Sequence, residues 1–262
     1  MSKQRSRAPG SVDREPAGLL EPDVCTFLVR YGYLERSGGG SGHSSTQGFR
    51  EPDVEKALRV YQQRNALPAT GVLDDVTVER MSAPRCGNHD LLNARADERV
   101  WFHSTVSYAI TEPSHSISSD MVDDAIEEAF RLWADASPFT FEKRELHEEP
   151  DIWIGFETGS HGDGFPFGGR DGDLAHSLIP ATTVTQPARI HFDDARDWTI
   201  DLPVPDGKFD LVTVAAHEIG HCLGLEHSSV EGALMFPCYR GQRRTVTGED
   251  AQRVRGLYDF SS

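Results

Sequence analysis

The apolar positions of the chain change period once, and the change divides it in two. In "EPDVCTFLVRYGYL", Val24, Phe27, Leu28 and Tyr31 fall at helical spacing, with Pro22 suited to a first turn. "EPDVEKALRVYQQRN" repeats the pattern with Val54, Ala57, Leu58 and Tyr61 on one face, and "LPATGVLDDVTVERM" adds a turn and a short third helix. "ERSGGGSGHSSTQG" between the first two has the composition of a flexible loop. Residues 19–83 therefore predict a small all-α module, marginal in stability at that size and inclined to lean on a neighbour. Residues 1–18 are polar with Pro and Gly, which predicts a disordered tail, and 84–97 form a polar connecting segment.

From about residue 98 the texture is different. "VSYAI", "FTFEK", "DIWIGF" and "ARIHFDD" read as strands. "SSDMVDDAIEEAFRLWADAS" reads as a long amphipathic helix with Met121, Ala125, Ala129 and Leu132 on one face and Trp133 beside them. "FDLVTVAAHEIGHCLGL" predicts a second long helix. "TGEDAQRVRGLYDF" predicts a third, with Thr247 and Asp250 placed as a capping box. A Gly/Asp/His-rich stretch covers 155–176. This mixture predicts an α+β domain over 98–262.

Composition narrows the function classes. A chain of 262 residues holds one large domain or two modest ones, and 37% hydrophobic with 26% charged residues is ordinary for a soluble protein. A formal net charge of −16 argues against a sequence-independent grip on nucleic acid or anionic lipid. No apolar run reaches the roughly 18 residues of a transmembrane helix. The N-terminus carries basic residues but no apolar stretch of the secretory kind. Four cysteines, Cys25, Cys86, Cys222 and Cys238, are too few for a disulfide scaffold, although Cys222 and Cys238 can pair if their segments pack together.

The chemistry concentrates in "VAAHEIGHCLGLEHSS". His217 and His221 are four apart in a helical pattern, so both imidazoles share one face, about 6 Å apart along the axis, and can meet one metal ion. Gly224 can take the left-handed conformation that ends a helix, which lets His227 return as a third ligand. Three neutral nitrogens leave a fourth zinc position open, the mark of a catalytic site. Zinc brings a bound water to a pKa of about 7, and Glu218 can take its proton and pass it to a leaving amine. Cys86, in "PRCGNHD", can fill the open position as a thiolate, or be an incidental buried cysteine. His161, Asp163, His176 and His191 can close a tetrahedral structural zinc site, and equally suit a solvated polar loop.

"HEIGHCLGLEH" matches the metzincin signature H-E-x-x-H-x-x-G-x-x-H, and Ser228 after the third histidine resembles the matrixin branch, the matrix metalloproteinases. "ALMFP", with Met235, resembles their Met-turn. "PRCGNHD" resembles their cysteine switch, P-R-C-G-x-P-D, with Arg85, Cys86 and Asp90 kept and His89 in place of proline. "ALRVYQQRNALPATGVLD" resembles the peptidoglycan-binding-like prodomain, and the haemopexin-like domain of many relatives has no counterpart.

The resemblance implies a secreted, monomeric zinc endopeptidase acting on extracellular-matrix-type proteins. It implies a zymogen kept latent by Cys86 on the catalytic zinc and controlled by tissue-inhibitor-type proteins. It also implies structural zinc on His161, Asp163, His176 and His191. "DLAHS" resembles the edge strand on which matrixins lay an extended peptide, with Leu174 and Ala175 offering backbone hydrogen bonds. A pocket between the 211–221 helix and "PCYRG" should take an apolar side chain, and Thr213 is small enough to leave it unblocked. No furin-type basic run lies between Cys86 and Val100, so activation by another protease or by autolysis is expected.

Calcium is expected to matter less than in the family. Asp151 and Asp193 keep two family ligand positions, but Gly168, Arg196 and Arg189 stand where three other carboxylates are usual, and Pro187 replaces a loop glycine. Hard cations need six to eight oxygens. The expectation is that Arg196 pairs with Asp193 and Arg189 with Asp151. Asp171 and Asp173 rebuilding one site is the alternative. Two rival functions stand beside the zymogen: a non-catalytic binding protein with a vestigial protease domain, and a cell-wall-directed metallopeptidase.

Overall fold

The computed structural model describes residues 21–35, 49–91, 101–168, 172–178 and 187–258. The predicted tail, nearly all of the glycine-rich loop and residues 92–97 of the connecting segment lie outside the described residues.

The helical module is built from α1 (Glu21–Arg30), α2 (Glu51–Arg64) and α3 (Asp75–Met81). Val24, Leu28, Tyr31, Ala57, Leu58, Tyr61 and Met81 form its core, with Phe27 and Val54 packed at the margin. The sequence pattern thus located the buried faces. Asp74 caps α3 by accepting from Thr77 N at 2.8 Å. Gln62 is buried; the two hydrogens of its amide nitrogen are shared among Thr70 Oγ1, Val72 O and Thr77 Oγ1, and its amide oxygen accepts from Gly71 N. A buried amide satisfied on every side fixes the turn between α2 and α3.

The second core belongs to a five-stranded sheet ordered β2-β1-β3-β5-β4. Its strands are β1 (Thr105–Glu112), β2 (Thr140–Lys143), β3 (Ile152–Glu157), β4 (Ala175–Leu178) and β5 (Ala188–Asp193). All neighbours are parallel except β4, which runs antiparallel to β5 at the edge. Helix α4 (Ser119–Ala136) makes the crossover from β1 to β2. Its buried face is Val122, Ala125, Ile126, Ala129, Phe130 and Trp133. Met121 and Leu132, expected on that face, are only half-buried. The long side chains Ile126 and Phe130 fill the core, while Ala125 and Ala129 allow close approach. The face is therefore centred one position away from the sequence estimate.

Helix α5 (Leu211–Cys222) is buried along its whole length. Asp210 caps it by accepting from Thr213 N, and the chain turns at Gly224 with φ +86°, as the sequence predicts. Trp133 Nε1 of α4 donates to Ala216 O of α5 at 2.7 Å. Helix α6 (Gly248–Leu257) carries the expected Thr247/Asp250 capping box. Asp250 also accepts from Leu234 N at 2.8 Å and Met235 N at 3.2 Å, which ties the loop containing Met235 to the start of α6. Two very short strands, β6 (Trp198–Thr199) and β7 (Phe209–Asp210), were not read from sequence because two residues carry no alternation.

Candidate metal centres and the covered cleft

His217 and His221 project from one face of α5, and His227 returns after the turn at Gly224. Each Nδ1 is engaged: His217 with Leu234 O at 2.8 Å, His221 with Leu225 O at 2.7 Å, His227 with Asp90 Oδ1 at 2.6 Å. Donation from Nδ1 leaves each Nε2 as a lone pair. Those of His217 and His221 face each other at 3.2 Å, and that of His227 is buried with no hydrogen-bond partner. Cys86 Sγ lies 3.5 Å from His221 Nε2. The four donor atoms lie within 4.8 Å of one another. Converging buried lone pairs repel unless a cation sits among them. Burial also holds the imidazoles neutral, pushing His217 down to about 3 and His221 well below its ordinary value. Three neutral imidazoles and one soft sulfur make a four-donor set that fits zinc.

Glu218 is fully buried beside the cluster. Its Oε2 accepts from Ser177 Oγ of β4 at 2.6 Å, and its Oε1 has no hydrogen-bond partner. Burial raises its carboxyl to about 7, against the hydrogen bond from Ser177 that lowers it. Ser177 was not singled out from sequence. Its role needs β4 to pack on α5, which no local pattern announces.

The segment holding Cys86 covers this cleft as an added strand. Leu174 N donates to Arg85 O at 2.9 Å, Gly87 N to Ala175 O at 2.8 Å, and Cys86 N to Pro237 O at 3.0 Å. Asn88 extends the pairing with its side chain, accepting from Ser177 N at 2.8 Å and donating to Ser177 O at 3.2 Å. Arg85 is buried, pairs with Asp90, and lies 3.6 Å from the ring centroid of Tyr31. Burial alone would raise the Asp90 carboxyl, but Arg85 and His227 beside it hold it well below the ordinary range. His89, in the place of the family proline, packs edge-on to Phe165 with ring centroids 6.4 Å apart.

The second cluster also assembles. Asp163 Oδ2 lies 2.8 Å from His161 Nε2, 2.7 Å from His176 Nε2 and 2.9 Å from His191 Nδ1. His176 and His191 are register partners on β4 and β5. Burial pushes His176 down to about 4 despite that carboxylate. Three imidazole nitrogens and one carboxylate oxygen within 4.8 Å of one another again make a donor set that fits zinc.

Comparison with known proteins places the chain in a family. Residues 100–259 match the family model described as "Matrixin". The chain belongs to the matrixin family. Residues 25–81 of this matrixin match the model described as "Putative peptidoglycan binding domain". It is 36% identical over 253 residues to "Metalloendoproteinase 1-MMP" of Arabidopsis thaliana, covering 88% of this chain and 67% of that protein. It is 38% identical over 237 residues to "Matrix metalloproteinase-20" of Homo sapiens, covering 88% of this chain and 47% of that one. It is 35% identical over 259 residues to "Matrix metalloproteinase-18" of Xenopus laevis, covering 97% and 53%. The aligned stretch thus spans about half to two thirds of the length of these relatives.

The remaining expectations meet different outcomes in this matrixin. Arg196 Nε does pair with Asp193 Oδ2 at 3.2 Å, and its Nη2 donates to the carbonyls of Gly172 and Asp173. The guanidinium thus bonds one carboxylate and two carbonyls. Arg189, by contrast, lies over the Trp153 ring, 5.2 Å from its centroid. Arg189 and Trp153 are register partners on β5 and β3. Asp151, just before β3, instead accepts from Ser107 N at 2.7 Å and Ser107 Oγ at 2.6 Å, with His103 Nε2 at 3.9 Å. The Arg189–Asp151 pair is therefore corrected. Asp171 lies outside the described residues. Cys222 and Cys238 are buried, unpaired thiols, Cys238 facing Asn65 in the helical module. Beside His217, Thr213, Val214, Leu234 and Tyr239 line a narrow cavity of about 30 Å³.

Proposed function

We propose that this matrixin is a zinc-dependent endopeptidase made as a latent zymogen, in which Cys86 closes the catalytic metal site. The metalloendopeptidase class follows from family membership. The observation that carries latency is the position of Cys86 Sγ among the three histidine nitrogens. The helical module serves as the cover. Arg64 Nη2 donates to His227 O at 3.3 Å, and Arg80 pairs with Glu231 at 3.0 Å, so the module holds both the ligand loop and the rim. These contacts favour a latency device over a platform for carbohydrate.

His217, His221 and His227 hold the catalytic zinc, and His161, Asp163, His176 and His191 a structural one. When bound at the first site, zinc polarises the scissile carbonyl and lowers the pKa of the attacking water. The chain's own groups do the rest. With the cover withdrawn, Leu174 N and Ala175 O exchange the switch backbone for that of an extended substrate. Glu218 takes the proton of the attacking water at its carboxylate and delivers it to the leaving amine. Ser177 holds one oxygen of Glu218, so the other faces the reaction. The cavity beside His217 takes an apolar side chain of the substrate, and its small size calls for rearrangement of Tyr239 and its neighbours. Extracellular proteins as substrates, tissue-inhibitor-type proteins as partners and reduced calcium dependence complete the reading. No described helix is long and apolar enough to cross a membrane.

Cys86→Ser in the full-length chain tests it: purified, folded variant should cleave peptides without activation. Variant protein as latent as wild type would refute the switch.

A further inference from the structure

Asp173 lies two residues before β4, next to Leu174, and is 1% exposed. Among the described residues, its two carboxylate oxygens are held by Arg30 Nη2 and Tyr31 Oη, both from the helical module. It also presses on the switch backbone. A Cβ built on Gly87, the residue after Cys86, would come within 2.7 Å of Asp173 Oδ2. The neighbouring Arg196 faces Asp193 and donates to the carbonyls of Gly172 and Asp173. Withdrawal of the module therefore strips both donors from a carboxylate that borders the cleft. A carboxylate shaped for a guanidinium and partly shielded from water discriminates strongly against an uncharged replacement.

We propose that Asp173 is a specificity subsite for a basic side chain of the substrate, arginine or lysine, close to the scissile bond, and that Arg30 occupies it as an internal stand-in while the cleft is covered. The proposal rests on the zymogen reading above. Arg30 is 35% exposed while Asp173 is buried, so the guanidinium reaches in from the solvent side, the route open to a substrate residue. The phenol of Tyr31 is a neutral donor that water can replace. A chain charge of −16 also draws cationic peptides toward the surface.

The test uses the full chain matured by limited proteolysis and loaded with zinc. Peptides that differ only in arginine against citrulline, its uncharged near-isostere, are compared at each position flanking the cut. At one position arginine should raise kcat/KM by about tenfold, the effect of one partly desolvated charge-assisted hydrogen bond. Matured Glu218→Ala protein should bind the same pair with the same ratio, read by fluorescence anisotropy. In matured Asp173→Asn protein the ratio should fall to about one, and Asp173→Glu should retain part of it. Equal treatment of arginine and citrulline at every position in the wild type, or a ratio that survives Asp173→Asn, overturns the subsite. Should Asp173→Asn fail to fold, the wild-type comparison and Asp173→Glu still decide. Matured wild-type chain that cleaves none of the peptides overturns the endopeptidase reading itself, and the subsite with it.

Discussion

Gly220 lies between the two helical histidines, and replacing it with alanine sets two effects against each other. Alanine is the better helix former, by about 1 kcal/mol. A Cβ at 220, however, would overlap Met235 Sδ and stand 2.8 Å from Trp133 Cζ2 and 3.1 Å from Met235 Cε. Carbon atoms in good contact lie about 3.5–4.0 Å apart, so neighbours must retreat by most of an ångström. Trp133 is fully buried and anchored through Nε1 to Ala216 O. Met235 is flexible in its side chain, but its backbone is held by Asp250 and by Ser228 N, which donates to Met235 O at 2.8 Å. Overpacking of this kind costs about 1–3 kcal/mol and outweighs the propensity gain. The net loss of about 1–2 kcal/mol should lower Tm by roughly 2–8 °C in zinc-loaded protein. Calorimetry of wild type and Gly220→Ala checks this. Adding Met235→Ala removes the clashing sulfur, so the double variant should be more stable than the sum of the single losses. A Gly220→Ala protein that melts at or above wild type, or a double variant with strictly additive losses, refutes the packing argument.

Ser177→Ala removes the donor to Glu218 Oε2 and should lower kcat by about tenfold with zinc content and KM little changed; an unaltered kcat would mean that packing alone orients Glu218, and threonine at 177 should restore part of the loss. His191→Ala should drop bound zinc from two ions per chain to one and lower Tm, read by metal analysis and calorimetry, while His217→Ala should lose the other ion. With Arg196 on Asp193 and on loop carbonyls, a calcium-selective chelator should leave Tm and peptidase activity of zinc-loaded protein nearly unchanged; a large fall in Tm would show that calcium is bound despite the arginine.

The histidines of the first cluster were legible because their geometry is local: an i,i+4 pair on a helix, a glycine that turns the chain and a third histidine beyond it need only helical periodicity to converge. Those of the second were legible only through the family resemblance, since His176 and His191 meet across β4 and β5. Cys86, Arg85 and Asp90 were legible through their motif. The unread roles act across elements. Ser177 and Asn88 take theirs from the packing of β4 on α5 and on the switch segment, and Asp173, read only as an alternative calcium ligand, takes its partners from the helical module; a sequence shows no such packing. Arg189 shows the converse error. Charge suggested Asp151, but strand register decided its neighbour, and register follows from which faces of β3 and β5 are buried. The face of α4 was misjudged for a related reason: its centre depends on what packs against it.

On the zymogen reading, the groups that enforce latency are the groups that later act. Leu174 and Ala175 bind the switch backbone where substrate would lie, and Asp173 holds Arg30. Asp90 is shared three ways, accepting from Tyr33 at 2.6 Å, from Arg85, and from the His227 imidazole. Its removal therefore does more than free a thiol. It leaves Arg85 without its buried counter-charge and His227 without its Nδ1 partner. A buried ion pair that loses one partner costs several kcal/mol. On that reading the covering strand holds as a unit, because Cys86 sits between Arg85 and Asp90 and Asp90 binds both Arg85 and His227. On the same reading one sulfur is enough to keep the cleft closed, because an ion pair, a strand pairing and a helical module all support the segment that carries it.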